Sequence, residues 1–180
     1  MGMPISVPRL TVDDIERFPE DGNRYELLDG LLLVTPAPRA VHQIVATRLA
    51  ALMTVALGSH AHVVGPGAIS RPPHTQLQPD VLVYPSRFSP STDWVKVTEH
   101  WLAVEVLSPS SRIYDREFKR DAYFALGVPE VWLIDVDDRS VDVSRARRSG
   151  RVVRDVIRWR VPALDQVVPV ELAELFAGVA

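Results

Sequence analysis

The sequence predicts a mixed α/β domain, a central sheet flanked by helices with additional antiparallel hairpins. Three observations carry this expectation. Trp101–Leu107 is almost wholly apolar, as a central strand buried on both faces is. Arg39–Leu57 places apolar residues at 41, 44, 45, 49, 52, 53 and 56, which is helical spacing. Asp29-Gly30 separates the apolar runs Tyr25–Leu28 and Leu31–Thr35 as a hairpin turn does. A chain of 180 residues fits one domain, 1–180, with a core over about 10–176.

The elements follow in order. Thr11 before Val12-Asp13-Asp14-Ile15 reads as an N-cap with acids in the first turn, opening a short helix that ends near Phe18. The hairpin comes next and breaks at Pro36-Ala37-Pro38. The long helix stops at Gly58. Strands are expected at Ala61–Gly65, Ala68–Arg71, Val81–Tyr84 and Trp101–Leu107, with an irregular excursion over Pro85–Glu99. Ser108-Pro109-Ser110-Ser111 is a turn and helix start, Asp115–Leu126 a helix ended by Gly127. Glu130–Val136, Ser140–Ala146 and Val152–Trp159 read as strands joined by turns at Asp137-Asp138-Arg139 and Ser149-Gly150. Leu172–Phe176 is a closing helix. The total is two main helices and about eight strands.

Composition narrows the chemistry. There are no cysteines, which excludes disulfides, thiolate zinc sites, iron–sulfur clusters and cysteine nucleophiles. No uninterrupted apolar run approaches the roughly 20 residues of a membrane span, and the first ten residues lack a secretory pattern, so a cytoplasmic protein without a membrane partner is expected. No glycine-rich phosphate loop or Gly-x-Ser-x-Gly elbow is present, which argues against a nucleotide cofactor or a serine hydrolase. Net charge is -3, but eight arginines between Arg139 and Arg160 face only Asp142 and Asp155. Such a segment is either a solvated hairpin or a surface that holds phosphates.

One residue contradicts its surroundings. Glu105 sits inside the apolar Trp101–Leu107 run, where a carboxylate is costly unless it pairs or coordinates a cation. It is expected near the strand's carboxyl end, where ligands bind in open α/β sheets. An arginine partner is the structural alternative. Asp80 opens the next most apolar strand, and two acids on adjacent strands suit a hard cation. Lys119 is one of two lysines and lies four residues after Asp115, either in a surface ion pair or aimed at the same cleft. Glu26 alternates against Tyr25 and Leu27 and, by itself, reads as an exposed strand glutamate. His60 and His62 could share a strand face, but no third zinc ligand follows at a convincing spacing.

Taken in order, Arg24-Tyr-Glu-Leu-Leu-Asp-Gly30, His42, Gln78-Pro-Asp-Val-Leu-Val83, Glu105-Val-Leu-Ser-Pro-Ser110, Asp115 with Lys119, and Gly127-Val-Pro-Glu-Val-Trp-Leu-Ile-Asp135 resemble the Uma-two family of "putative endonucleases", a branch of the PD-(D/E)XK nuclease superfamily. The resemblance runs from about Leu10 to Phe176. It implies a restriction-endonuclease-like core and a Mg²⁺- or Mn²⁺-dependent endonuclease acting on nucleic acid, DNA first, in a cytoplasmic homodimer. Asp80 matches the Asp of Pro-Asp and Glu105 the acid of (D/E)XK. Leu107 stands where that motif has its lysine, and Lys119 on the following helix takes its place. Glu26 matches an acid near the N-terminus, and His42 a histidine on the first long helix.

The expected mechanism puts the metal on Asp80, Glu105 and the Val106 backbone carbonyl. Lys119 orients or deprotonates the attacking water, and Glu26 and His42 support the metal-bound waters. Arg112, Arg116, Arg145, Arg147 and Arg148 are candidates for nucleic-acid contact. Two alternatives stay open: a weakly active or inactive nuclease-fold module serving in binding or dimerisation, and a metal-dependent hydrolase of another phosphoester.

Overall fold

The computed structural model describes residues 9–108, 118–147 and 149–179. The expected helix start after Ser108, with Asp115, Arg112, Arg116 and Arg148, lies outside the described residues.

The core is a six-stranded mixed sheet. Its central strands are β6 (Val81–Pro85), β7 (Leu102–Val106) and β8 (Val131–Asp135), each buried at all five positions. β3 (Ala61–Val64) flanks β6, while β9 (Ser140–Ser144) and β10 (Gly150–Val153) extend the other side, giving the order β10-β9-β8-β7-β6-β3. Only β7 and β8 are parallel; the other pairings are antiparallel. A parallel pair needs a crossover, and that connection contains the helix α3 (Arg120–Ala125).

Two helices cover opposite faces. The helix α2 (Ala40–Leu57) lays Val45, Leu49, Met53 and Leu57 over Val81, Val83, Val104, Val106, Trp132 and Ile134. On the other face, Tyr123 of α3 and Val128 pack on Leu82, Ala103, Val131 and Leu133. Strand alternation therefore sends Val104 and Val106 toward α2 and Ala103 and Glu105 toward α3.

A second sheet, of four strands, stands beside the first. The strands β1 (Arg24–Leu28) and β2 (Leu31–Thr35) form the expected hairpin, with Asp29 at φ 51° and Gly30 at φ 80°. Both positive values match the turn type that Asp-Gly favours. The strands β4 (Ile69–Arg71) and β5 (Thr75–Leu77) complete the order β2-β1-β5-β4. From β5 the chain runs through Gln78-Pro79-Asp80 directly into β6, so a three-residue link joins the two sheets. The short helix α1 (Val12–Ile15) opens with the full capping box of Thr11 and Asp14.

The structure corrects several expected elements. Val152–Trp159 is not one strand. β10 pairs with β9, the chain bends at Arg154-Asp155, and β11 (Val156–Arg160) joins β12 (Val167–Glu171) in a separate hairpin. Arg154 pairs with Asp138 at 2.6 Å and the Asp155 carbonyl accepts the Leu172 amide, which fixes the bend. Gly150 opens β10 rather than lying in a turn. β12 was hidden by Pro169, tolerated here on an edge hairpin. The closing helix α4 is Leu172–Leu175. Twelve strands are thus present among the described residues. Run length also misjudged α2. The segment Ala40–His60 is, by length and composition, apolar enough to cross a membrane, with a mean hydropathy of 1.5 and a third of the window buried inside the protein.

His100, just ahead of β7, is 5% exposed, and neither ring nitrogen has a hydrogen-bond partner among the described residues. Burial pushes its pKa down to about 4, against the pull of Glu99. The unfolded chain takes up this proton near pH 6.5 and the folded protein only near 4, so stability falls as pH drops through that window. Replacing His100 with Leu should flatten the dependence. Denaturant titrations at pH 7 and pH 4.5 should show the wild-type stability loss reduced by about 2 kcal/mol in the variant.

Candidate functional site

The site forms where the link between the sheets meets the carboxyl end of β7. Val81 pairs with Val104, so continuing the register by one residue sets Asp80 opposite Glu105. The Val106 amide donates to Asp80 Oδ2 at 2.8 Å, tying the link to the end of β7. β3 ends close by: a Cβ on Gly65 would lie 2.4 Å from the Asp80 carbonyl oxygen, so only glycine lets the chains approach this closely.

Two charge clusters meet there. In the first, Arg24 Nη1 lies 2.8 Å from Asp80 Oδ1 and donates to the Gln78 carbonyl at 3.0 Å, while His42 Nε2 lies 3.0 Å from Asp80 Oδ2. Burial alone would raise the Asp80 pKa, but the hydrogen bond from His42, the charge of Arg24 and the bond from the Val106 amide outweigh it and hold it at about 2. The stability carried by this carboxylate is complete above its ordinary value of 3.8 and is lost as pH falls toward 2. Burial likewise opposes the Arg24 charge, and Asp80, Glu105 and Glu26 more than offset it, raising its pKa.

In the second cluster, Lys119 Nζ lies 2.6 Å from Glu26 Oε2 and 3.2 Å from Glu105 Oε1. Tyr123, one helical turn beyond Lys119, donates its hydroxyl to Glu105 Oε1 at 2.5 Å. The Gln78 amide donates to Glu26 Oε1 at 2.7 Å. Glu26, Glu105 and Lys119 are 0%, 2% and 3% exposed, so these charges meet one another inside the protein rather than water.

The structure thus brings Asp80, Glu105, Lys119, Glu26 and His42 to one place. Glu26 is not the exposed strand residue that alternation alone suggests. β1 is covered on both faces, because the face opposite Leu27 turns toward the link and α3. Among the described residues, Lys119 and Tyr123 donate to Glu105. Arg24 and Tyr123 are the residues sequence reasoning missed. Arg24 is two residues before Glu26 and so shares its strand face, and Tyr123 is four after Lys119 and shares its helix face.

Of the arginine candidates, the two described ones, Arg145 and Arg147, lie away from this cluster. Arg145 pairs with Glu130 at 2.8 Å, at the amino end of β8, whereas Glu105 lies near the carboxyl end of the parallel β7. Arg147 borders a cavity of about 290 Å³ with Asp29, Arg71, Phe118 and Asp121. His62 Nε2 contacts the Phe88 carbonyl at 2.9 Å, and His60 is exposed.

Asp80 and Glu105 offer carboxylate oxygens and no soft ligand, a donor set that fits Mg²⁺ or Mn²⁺. Among the described residues, no three His, Asp or Glu side chains form a ready-made metal cage.

A mixed sheet between helices, with buried carboxylates and a lysine at the carboxyl end of a central strand, defines a nuclease-like architecture. A crystal structure of "a putative nuclease belonging to DUF820 from Anabaena variabilis" superimposes with a TM-score of 0.70 at 19% identity, covering 93% of this chain and 97% of that one. The family model Uma2, described as "Putative restriction endonuclease", matches residues 12–178, and the chain belongs to that family. No curated protein matches the sequence.

The shared lysine makes a sharp prediction about stability. Lys119→Met removes the cation between two buried carboxylates and should destabilise the fold by about 3 kcal/mol at pH 7. Denaturant melts of wild type and variant check this.

Proposed function

We propose that this chain is a nuclease that hydrolyses phosphodiester bonds of nucleic acid, with DNA as the substrate and Mg²⁺ or Mn²⁺ as the cofactor. The observation that carries the reading is Lys119, buried in contact with Glu26 and Glu105, next to the strand end where Asp80 and Glu105 lie opposite each other. A fold rarely buries three carboxylates in one place for packing alone.

In this reading Asp80, Glu105 and the Val106 carbonyl hold the metal. The Val106 amide already faces the β6 side, and in an extended strand the carbonyl of the same residue shares that side. When bound, the metal polarises the phosphate and makes a water more acidic. The chain's own groups do the rest. Lys119, fixed by Glu26 and Glu105, directs its ammonium at the attacking water and the developing phosphate charge. Tyr123 holds the Glu105 carboxylate in one orientation, and His42 does the same for Asp80. Glu26, anchored by the Gln78 amide, sets the height of Lys119 over the site.

A homodimer belongs to the same proposal, since cutting both strands of a duplex takes two such sites. β2 is an edge strand with Leu31 and Val34 exposed, which supports pairing there. A cytoplasmic location is likewise proposed.

Cleavage of plasmid DNA and of matched DNA and RNA oligonucleotides tests the reading. Wild type should cut DNA with Mg²⁺ or Mn²⁺ and stop in chelator. Asp80→Asn and Glu105→Gln should lose about 10³-fold or more, and Lys119→Met about 10²- to 10⁴-fold. All should be assayed where melting shows the variant folded. Cleavage by Lys119→Met at the wild-type rate would remove the role assigned to that lysine, and undiminished cutting in chelator would remove the metal.

A further inference from the structure

A cavity of about 160 Å³ opens beside Asp80. Arg24 and Asp80 form its buried end, Gln43 and Thr47 of α2 one wall, and Gly65 and Pro66 the other. Water occupies roughly 30 Å³ per molecule in the liquid, so the space takes a phosphate group with a few waters.

Arg24 is equipped for such a ligand. Both of its close contacts, to Asp80 Oδ1 and the Gln78 carbonyl, are made by Nη1. Nε and Nη2 donate to no described residue, and the side chain keeps 16% exposure. The guanidinium is therefore held at one corner with its remaining fork of donors free, the geometry that suits two oxygens of one phosphate. The charge balance points the same way. Among the described residues, the carboxylates of Glu26, Asp80 and Glu105 meet the fixed cations Arg24 and Lys119 and the imidazole of His42, and a divalent cation added to this set shifts its charge toward the complement of a phosphodiester.

We propose that this cavity is a phosphate subsite, with Arg24 as the group that grips the phosphodiester next to Asp80. The strength of phosphate binding expected here rests on the metal-dependent reading above, whereas the grip by Arg24 does not. Arg24 also competes with the cation for Asp80, so it has opposite effects on the two ligands: it weakens cation binding and strengthens phosphate binding.

Calorimetric titration of the whole chain with Mg²⁺, and then of the Mg²⁺-loaded protein with inorganic phosphate, tests this without reference to turnover. Arg24→Met should lose about tenfold or more in phosphate affinity while Mg²⁺ binds as tightly as in wild type or up to about tenfold tighter. Thr47→Leu fills the cavity from an exposed helix position without touching a charge. It should lose phosphate by about tenfold while Mg²⁺ affinity stays within about twofold, and it decides the matter if Arg24→Met does not fold. Loss of both ligands in a folded Arg24→Met would reduce Arg24 to positioning Asp80 and overturn the subsite. Phosphate binding unchanged in both variants would also overturn it. If wild type bound no Mg²⁺ yet held phosphate through Arg24, the metal reading would fall and the subsite would stand. If it bound neither, both would fall.

Discussion

Three carboxylates buried within one small volume impose the constraint on which the rest of this structure depends. A carboxylate taken out of water costs several kcal/mol unless cations and hydrogen bonds replace its hydration. Here the replacement is divided. Arg24, His42 and the Val106 amide serve Asp80, while Lys119, Tyr123 and the Gln78 amide serve Glu105 and Glu26. The partners come from β1, α2, the link, β7 and the segment entering α3. Each of these elements is therefore held in place by charge as well as by apolar packing. The site marks the seam between the two sheets, and the second sheet exists there in part to deliver Arg24 and Glu26 from one face of β1.

This arrangement also shapes the chemistry available. Apolar packing from α2 on one face and α3 on the other encloses the central strands, and the opening at Arg24 and Asp80 gives the first cluster a route to solvent. Lys119 reaches the site from outside β7, because Leu107 occupies the position two residues after Glu105 and packs in the α3-side core instead. Moving the ammonium to the crossover lets it approach Glu26 as well as Glu105, which a lysine on β7 would have to do from within the strand. The same crossover makes β7 and β8 parallel and so creates the strand end where the carboxylates collect.

Much of this was legible in residues alone, and the reasons differ by element. The β1–β2 hairpin and α2 announce themselves because Asp-Gly and Gly58 are local signals. β7 and Glu105 stand out because a charge within an apolar run is a physical contradiction. β5 and β12 were missed, one because Thr75-Gln76-Leu77 carries a single apolar residue and the other for Pro169, and the split of β10 from β11 was invisible because a change of pairing partner leaves no periodicity in sequence. The burial of Glu26 was misread for a related reason: alternation gives the face of a strand but not what covers that face. Arg24 and Tyr123 carried a readable signal, their spacing from Glu26 and Lys119, but it acquires meaning only once the two sheets are joined.

The central claim is that Asp80 and Glu105 together hold a divalent cation at this seam. Anomalous diffraction from crystals soaked in Mn²⁺ tests it most directly. The account predicts one peak between the Asp80 and Glu105 carboxylates on the side of the Val106 carbonyl, with Arg24 drawn away from Asp80. A peak at other residues, or an empty site with Arg24 still seated on Asp80 at saturating Mn²⁺, would contradict it.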